Sequence, residues 1–473
     1  MSGSHRAAQR KVDRQMHPDL SPTLPVIPEV CAELWASAAR VLDANWVGDH
    51  TVPSRTLYPH QWSWDTAFTA IGLAYVNQPR AWRDLRSLFA AQWPDGRVPH
   101  IAFDPDTPEE AYFPGPRFWN VPAYAGRPAR SSTGLVQPPL HALAAWEVYR
   151  HAAAHGADAV QQARIELDRL YPRLVAQQEY LGDRRDAGGG GLASIVHPWE
   201  SGLDDSPAWD EALAAVPADP GLLDRHPRRD LALSDAAHRP TDTDHARYVG
   251  LVLDYQAGEY SDTGLAERHA FVVECPGFNA VLATAELALA QIAGVLGRPS
   301  EARRHRERAR DVTAAIGRRL WNPETRTFHA RDVRTGRLSP AHCVSGLLPL
   351  MLPDLEPDQV DGILAELRSE RFGLPAPSHD RTAREFDTHR YSRGPVWINV
   401  NWLLRRGLLV HGRRDEAEEL RRRLVRLVHR NGHFEYFHPE EGGGLGTSAF
   451  SWTAALCLDL LADRSAPAYA RAA

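Results

Sequence analysis

Lysine is all but missing from this 473-residue chain. Lys11 is the single one, so nearly all of the 54 basic side chains are arginine. That skew marks a GC-rich coding bias rather than a function. Cysteine is scarce too. Cys31, Cys275, Cys343 and Cys457 share no CxxC spacing and lie mostly in apolar stretches. This excludes a disulfide framework and reads them as small core residues. There is no excess of positive charge: the formal net charge is −6, which removes the electrostatic case for nucleic acid or an anionic membrane as a partner. No run approaches the roughly 20 apolar residues of a membrane span. The first 25 residues lack the apolar stretch of a signal peptide, so the cytoplasm is the expected location. Residues 1–25 and 464–473 are expected to be flexible.

What is present is helical periodicity. Val30–Leu42, Thr66–Val76, Trp82–Gln92, Gly134–His151 and Gln161–Leu181 carry apolar residues at i, i+3, i+4 and i+7. So do Asp242–Tyr255, Phe278–Leu296, Ser300–Leu320, Ala341–Met351, Pro357–Arg368, Pro395–Val410, Arg414–Val428 and Trp452–Leu461. Runs of strand period are short and few. Phe278–Ile292 is apolar nearly all round, whereas Ser300–Arg310 is mostly Arg and Glu; Pro395–Val410 and Arg414–Val428 repeat the contrast. Inner apolar helices alternating with outer charged ones describe an all-α fold, an (α/α)6 toroid over residues 26–463. An open α-solenoid shares the alternation, but no fixed-length repeat is found. Two long irregular stretches, about 99–132 and 182–240, interrupt the helices. Their aromatics (Tyr112, Phe113, Phe118, Trp119, Tyr124, Trp199 and Trp209) make them ordered lids over a pocket.

The chemistry sits in five segments. The sharpest is His197-Pro198-Trp199-Glu200-Ser201-Gly202-Leu203-Asp204-Asp205-Ser206-Pro207, three carboxylates and a Trp in a loop too polar and interrupted for core. A second acid, Glu435, stands in Asn431-Gly432-His433-Phe434-Glu435-Tyr436-Phe437. Two carboxylates in aromatic, glycine-bearing loops are what sugar hydrolysis needs: one protonates the leaving oxygen, the other activates water or attacks. Each also has a plain structural reading. Asp204 or Glu200 can be an ion-pair partner, Asp205-Ser206-Pro207 a cap, and Glu435 a hairpin surface residue. Tyr58-Pro59-His60-Gln61-Trp62-Ser63-Trp64-Asp65 is either an aromatic wall with a hydroxyl acceptor or a helix start with Asp65 in its first turn. Gln137, before Pro138-Pro139, offers donors and an acceptor to sugar hydroxyls or simply starts a helix. In Tyr391-Ser392-Arg393-Gly394-Pro395, Arg393 either points from a helix mouth or is solvated.

Taken together, YPHQWSWD, GLVQPP, HPWESGLDDSP, PGFN, RGPVWINVNWLL, FEYF and FSWTAAL run in order from about Leu57 to Leu461. They resemble bacterial members of glycoside hydrolase family 63, above all the mannosylglycerate and glucosylglycerate hydrolase group, and more distantly the trehalases of family 37. The resemblance implies an inverting α-glycosidase that needs no cofactor or metal and acts on a small-molecule glycoside. It implies Asp204 as general acid and Glu435 as general base, their carboxyls about 6.5–9.5 Å apart. It implies sugar contacts from Tyr58, Trp62, Trp64, Asp65, Gln137, Trp199, Gly202 and Trp397. Arg239 with Tyr112 and Tyr391 would receive a glycerate carboxylate, with His245 and Arg393 nearby. His245 stands where the group has a tyrosine and Ser392 where it has a tryptophan; both changes are expected to open space near the mouth. An α-glucosidase or trehalase for disaccharides is the alternative within the fold, and a non-catalytic carbohydrate-binding scaffold the alternative outside it. The sequence leaves oligomeric state open. His151 and His155, four apart, lack the Glu and third ligand of a zinc site. Gly188–Gly191 and Gly442–Gly446 lack the flanks of nucleotide loops, and the Arg-rich Arg413–Arg430 is interleaved with acids as a solvated outer face is.

Overall fold

The computed structural model describes residues 29–121, 130–232 and 235–462. The termini expected to be flexible, and Tyr124 of the first lid, lie outside the described residues. Among the latter, helices of ten or more residues are α1 (Glu29–Ala44), α2 (Ser63–Val76), α3 (Gln78–Phe89), α4 (His141–Ala152), α5 (Ala157–Arg184), α6 (Asp242–Ala257), α7 (Pro276–Val295), α8 (Pro299–Arg319), α9 (Pro357–Arg368), α10 (Ile398–Val410), α11 (Arg414–Asn431) and α12 (Ser451–Ala462). Strands among the described residues are two residues long and join in four pairs and one three-stranded sheet that pin loops together.

Two expected helices differ. Gly134–His151 begins only at His141, because Pro138 and Pro139 deny helical hydrogen bonds and force an extended approach. Within the extended stretch, Gln137 faces the site while Leu135, Val136 and Leu140 pack into the core. Ala341–Met351 becomes a 3-10 helix over Val344–Met351 with Pro349 inside it.

Packing follows the polarity of each helix. α2 lies on α4, α4 on α7, α7 on the 3-10 helix, that helix on α10, α10 on α12 and α12 on α2. Outside them, α1 covers α12, α3 covers α2, α5 covers α4, α8 covers α7, α9 covers the 3-10 helix and α11 covers α10. α7 is buried along nearly its whole length while Arg-rich α8 buries one narrow stripe. α7 also corrects the expectation about membrane-length runs. It is 20 residues long and apolar enough to cross a bilayer, but 83% of its apolar window is buried inside the protein, as in a core helix. The two lid stretches are less irregular than expected. They hold short helices such as Pro116–Trp119, Pro198–Ser201 and Asp210–Ala214, and the strand Ile101–Ala102 paired with Gln61–Trp62.

Candidate active site

Both acids face one cavity at the loop ends of the helices. Its lining includes Tyr58, Trp64, Asp65, Gln137, Asp204 and Glu435, roofed by Tyr112, Phe113, Arg229, Asp230 and Arg239 from the two lids.

The loop that presents Asp204 is built by its own short-range bonds. His197 caps the turn Pro198–Ser201 by accepting from the Trp199 N–H at 3.0 Å. Gly202 follows at φ +70°, the left-handed region, where a Cβ would meet the Trp64 ring at 2.5 Å. The chain then reverses, and the Tyr248 hydroxyl donates to the Asp204 carbonyl at 2.8 Å. Glu200 is the ion-pair partner. Arg185 donates to both its oxygens at 2.7 and 2.8 Å, with both side chains fully buried. The same carboxylate accepts the N–H groups of Val196 at 2.8 Å and Val136 at 3.1 Å, tying the acid loop to the Gln137 segment. Asp205 binds Arg390 and Arg393, while the Ser206 hydroxyl caps the next turn.

Glu435 stands at the foot of a hairpin in which Tyr436–Phe437 pairs with Gly444–Leu445. Its N–H donates to the Thr447 carbonyl at 2.9 Å. Gly446 lies at φ +71°, and a side chain there would collide with the Glu435 carboxylate. Oε1 accepts from the hydroxyls of Tyr58 (2.9 Å) and Tyr391 (3.1 Å), and Oε2 from the Thr447 N–H (3.3 Å). Arg239 donates to the Tyr58 hydroxyl at 3.1 Å and lies over the Tyr391 ring.

The electrostatics separate the two acids. Burial, joined by the charges of Glu435 and Asp205 and opposed by Arg239, pushes the Asp204 carboxyl up to about 7. Burial also raises Glu435, but Arg239, the two tyrosine hydroxyls and the Thr447 amide all favour its ionised form. The two carboxyls thus differ in their surroundings: three hydrogen-bond donors favour the charged form of Glu435 against its burial. Asp65, in the first turn of α2, is raised well above the carboxylate range by burial, then by Glu435 and Asp204. His245 is pushed down to about 4 by burial and Arg228, so it is a neutral imidazole. Its Nε2 is buried without a hydrogen-bond partner.

Comparison with known proteins bears on this arrangement. The model of the mannosylglycerate hydrolase MGH1-like glycoside hydrolase domain matches residues 58–453. The chain belongs to that family. It is 38% identical over 448 residues to a mannosylglycerate hydrolase of Rubrobacter radiotolerans, covering 93% of this chain and 99% of the relative. It is 34% identical to a glucosylglycerate hydrolase of Mycolicibacterium hassiacum, covering 91% and 98%. The family 63 mannosylglycerate hydrolase of Thermus thermophilus, solved with Tris and D-glycerate, superposes with a TM-score of 0.81 at 35% identity, covering 90% and 99%.

Within this glycoside hydrolase, most residues singled out from the sequence line the cavity: Tyr58, Trp62, Trp64, Asp65, Tyr112, Gln137, Trp199, Gly202, Asp204, Arg239, His245, Tyr391 and Glu435. Trp397 and Arg393 do not. Trp397 is buried behind the wall, stacked on Tyr436 at 4.6 Å, and its Nε1 donates to the Tyr391 carbonyl. Arg393 is neither solvated nor at a mouth; it is buried and spent on Asp205 and Asp210. Ser392 likewise is fully buried and opens nothing near the mouth. Trp452, Phe450, Tyr248, His100, Arg229 and Asp230 line the cavity without having been singled out as site residues. Phe450 and Trp452 stood in a noted motif and were readable. Asp230 was hidden in an Arg-rich stretch, and Arg228 holds it bidentately.

Proposed function

We propose that this protein is an inverting hydrolase of a small α-glycoside of glycerate, glucosylglycerate or mannosylglycerate. Asp204 protonates the glycosidic oxygen and Glu435 deprotonates a water on the opposite face of the ring. The observation that carries this reading is one cavity lined by a carboxyl near neutrality and a carboxylate holding three hydrogen-bond donors. Trp64, Trp199 and Trp452 offer apolar faces to a pyranose, and Asp65 and Gln137 take its hydroxyls. Arg239 offers a cation to the glycerate carboxylate, with Tyr112 and the neutral His245 beside it. The glycerate-linked relatives support that aglycone. The sequence of packing contacts from α2 round to α12, each inner element with an outer cover, supports a single six-hairpin toroid as the scaffold.

The test is a panel of glucosylglycerate, mannosylglycerate, trehalose, kojibiose and nigerose, with the released anomer followed by NMR. Hydrolysis of a glycerate glycoside with release of the β-sugar is expected, and Asp204→Asn is expected to lose about three or more orders of magnitude in kcat. A retained α-anomer, or near-normal rates in the variant, would overturn the assignment. Preference for a disaccharide would move the protein to the α-glucosidase or trehalase reading. Sugar binding without turnover would favour a scaffold.

A further inference from the structure

Asp205 follows Asp204 directly, is 2% exposed and does not line the cavity. Two arginines hold its carboxylate. Arg390 reaches it from Nε at 2.6 Å and Nη2 at 2.9 Å, and Arg393 from Nε at 3.3 Å. Arg393 also grips Asp210 with both terminal nitrogens, at 2.6 and 2.9 Å. Between the two arginines in the chain stands Tyr391, whose hydroxyl donates to Glu435 at 3.1 Å. The Tyr391 backbone is fixed in turn, its N–H donating to the His238 carbonyl at 3.2 Å and its carbonyl accepting from Trp397. An unbroken line of contacts therefore runs from the neighbour of one acid to the other acid.

An inverting site needs a set gap that admits one water between two carboxyls. Here the two acids sit on loops more than two hundred residues apart, and covalent connection does not hold that gap. A planar guanidinium gripping a carboxylate through two nitrogens fixes both distance and orientation, which a point charge does not. We propose that the Asp205–Arg390/Arg393 clamp is a strut that sets the spacing between Asp204 and Glu435. Asp205, Arg390 and Arg393 are then positioning residues acting through Asp204 and Tyr391. The inference rests on the reading of Asp204 and Glu435 as acid and base.

The experiment compares wild type, Asp205→Asn and Arg390→Lys in the full chain. Each is assayed on the glycosylglycerate that wild type turns over and on the α-glycosyl fluoride of the same sugar, whose leaving group needs little proton donation. Thermal midpoints are recorded alongside. Arg421→Gln, which breaks a similarly buried pair with Glu418 on outer helix α11, shows what a purely structural loss looks like. A misplaced acid should cost Asp205→Asn about a hundredfold in kcat on the glycerate glycoside, with KM within about twofold. The loss on the fluoride should stay below about tenfold. Arg390→Lys, which keeps the charge but not the fork, should fall between, and it carries the test if Asp205→Asn fails to fold. Wild-type-like kcat in both variants overturns the strut while leaving the acid–base reading intact. So does an equal loss on both substrates that matches Arg421→Gln at the same thermal midpoint. A wild type inactive on both substrates overturns the acid–base reading itself.

Discussion

Tyr58→Phe should shift the acidic limb of the pH–rate profile upward without unfolding the site. The Tyr58 hydroxyl is one of two donors to Oε1 of Glu435, at 2.9 Å, and it accepts from Arg239 at 3.1 Å. Phenylalanine keeps the ring that packs edge-on against Trp62 and Phe450. It removes only the donor and the bridge to the guanidinium. A hydrogen bond to a charged group contributes about 1.5 kcal/mol at the low end. Since about 1.4 kcal/mol corresponds to one pH unit, the pKa of the base should rise by about one unit. The sign follows from the role. A donor favours the ionised carboxylate, so its loss raises the pKa, and a base must be ionised to act. Activity should therefore disappear at a higher pH as the solution is acidified. On the proposed reading the alkaline limb follows the Asp204 carboxyl, near 7, which must keep its proton. It should move little, so the bell narrows and its summit falls. The limbs are properties of the interacting pair, and only their displacement is assigned to Tyr58. Initial rates of glycerate-glycoside hydrolysis from about pH 4 to 9 at constant ionic strength measure kcat/KM. An acidic limb that stays put, or moves down, would refute the role given to this hydroxyl.

Three further outcomes are expected. Glu200→Gln removes the bidentate charge partner of the fully buried Arg185, which keeps only Asp262 at 3.0 Å, and should lower unfolding free energy by about 3 kcal/mol in urea titrations. Burial raises the Asp84 carboxyl to about 7, with Oδ2 unpaired. Its contribution to stability is thus complete at low pH and lost as pH rises through about 7, so the margin of Asp84→Asn over wild type in urea titrations should widen between about pH 4 and 7 and level off above. Gly202→Ala forces a left-handed backbone onto a β-carbon aimed at Trp64. Its kcat/KM should drop on the order of tenfold, in line with about 1–3 kcal/mol of strain; an unchanged value would show that the turn yields.

Helix positions were legible because burial on one face imposes a period that composition cannot disguise. The exceptions have separate causes. Gly134–His151 has the right apolar spacing, but two prolines decide its backbone before its side chains can. Val344–Met351 is buried on every side, so periodicity does not distinguish its 3-10 turn from an α-helix. For the site, residue type located the cavity but did not tell its face from its back. Trp397 and Arg393 sit in a motif beside Tyr391 and are of the types that bind sugars, yet both face inward to brace the wall. Glu200, Asp204 and Asp205 stand in one short loop and are chemically alike. Only their partners separate them: Arg185, 15 residues before the first, and Arg390 with Arg393, 185 and 188 residues beyond the third. Asp230 was missed for the converse reason: its surroundings in sequence are arginines, while its surroundings in space are the cavity.

The contact of α12 with α2 has a consequence for biosynthesis. Nearly every side chain of α2 is buried, and part of its cover is a helix that begins at Ser451. At about 5–20 residues per second, α2 leaves the ribosome roughly 20–75 s before that cover exists. Through that interval its greasy flank is a sticking point for other nascent chains, and a chaperone that shields it should raise the yield of native enzyme more than one acting after release.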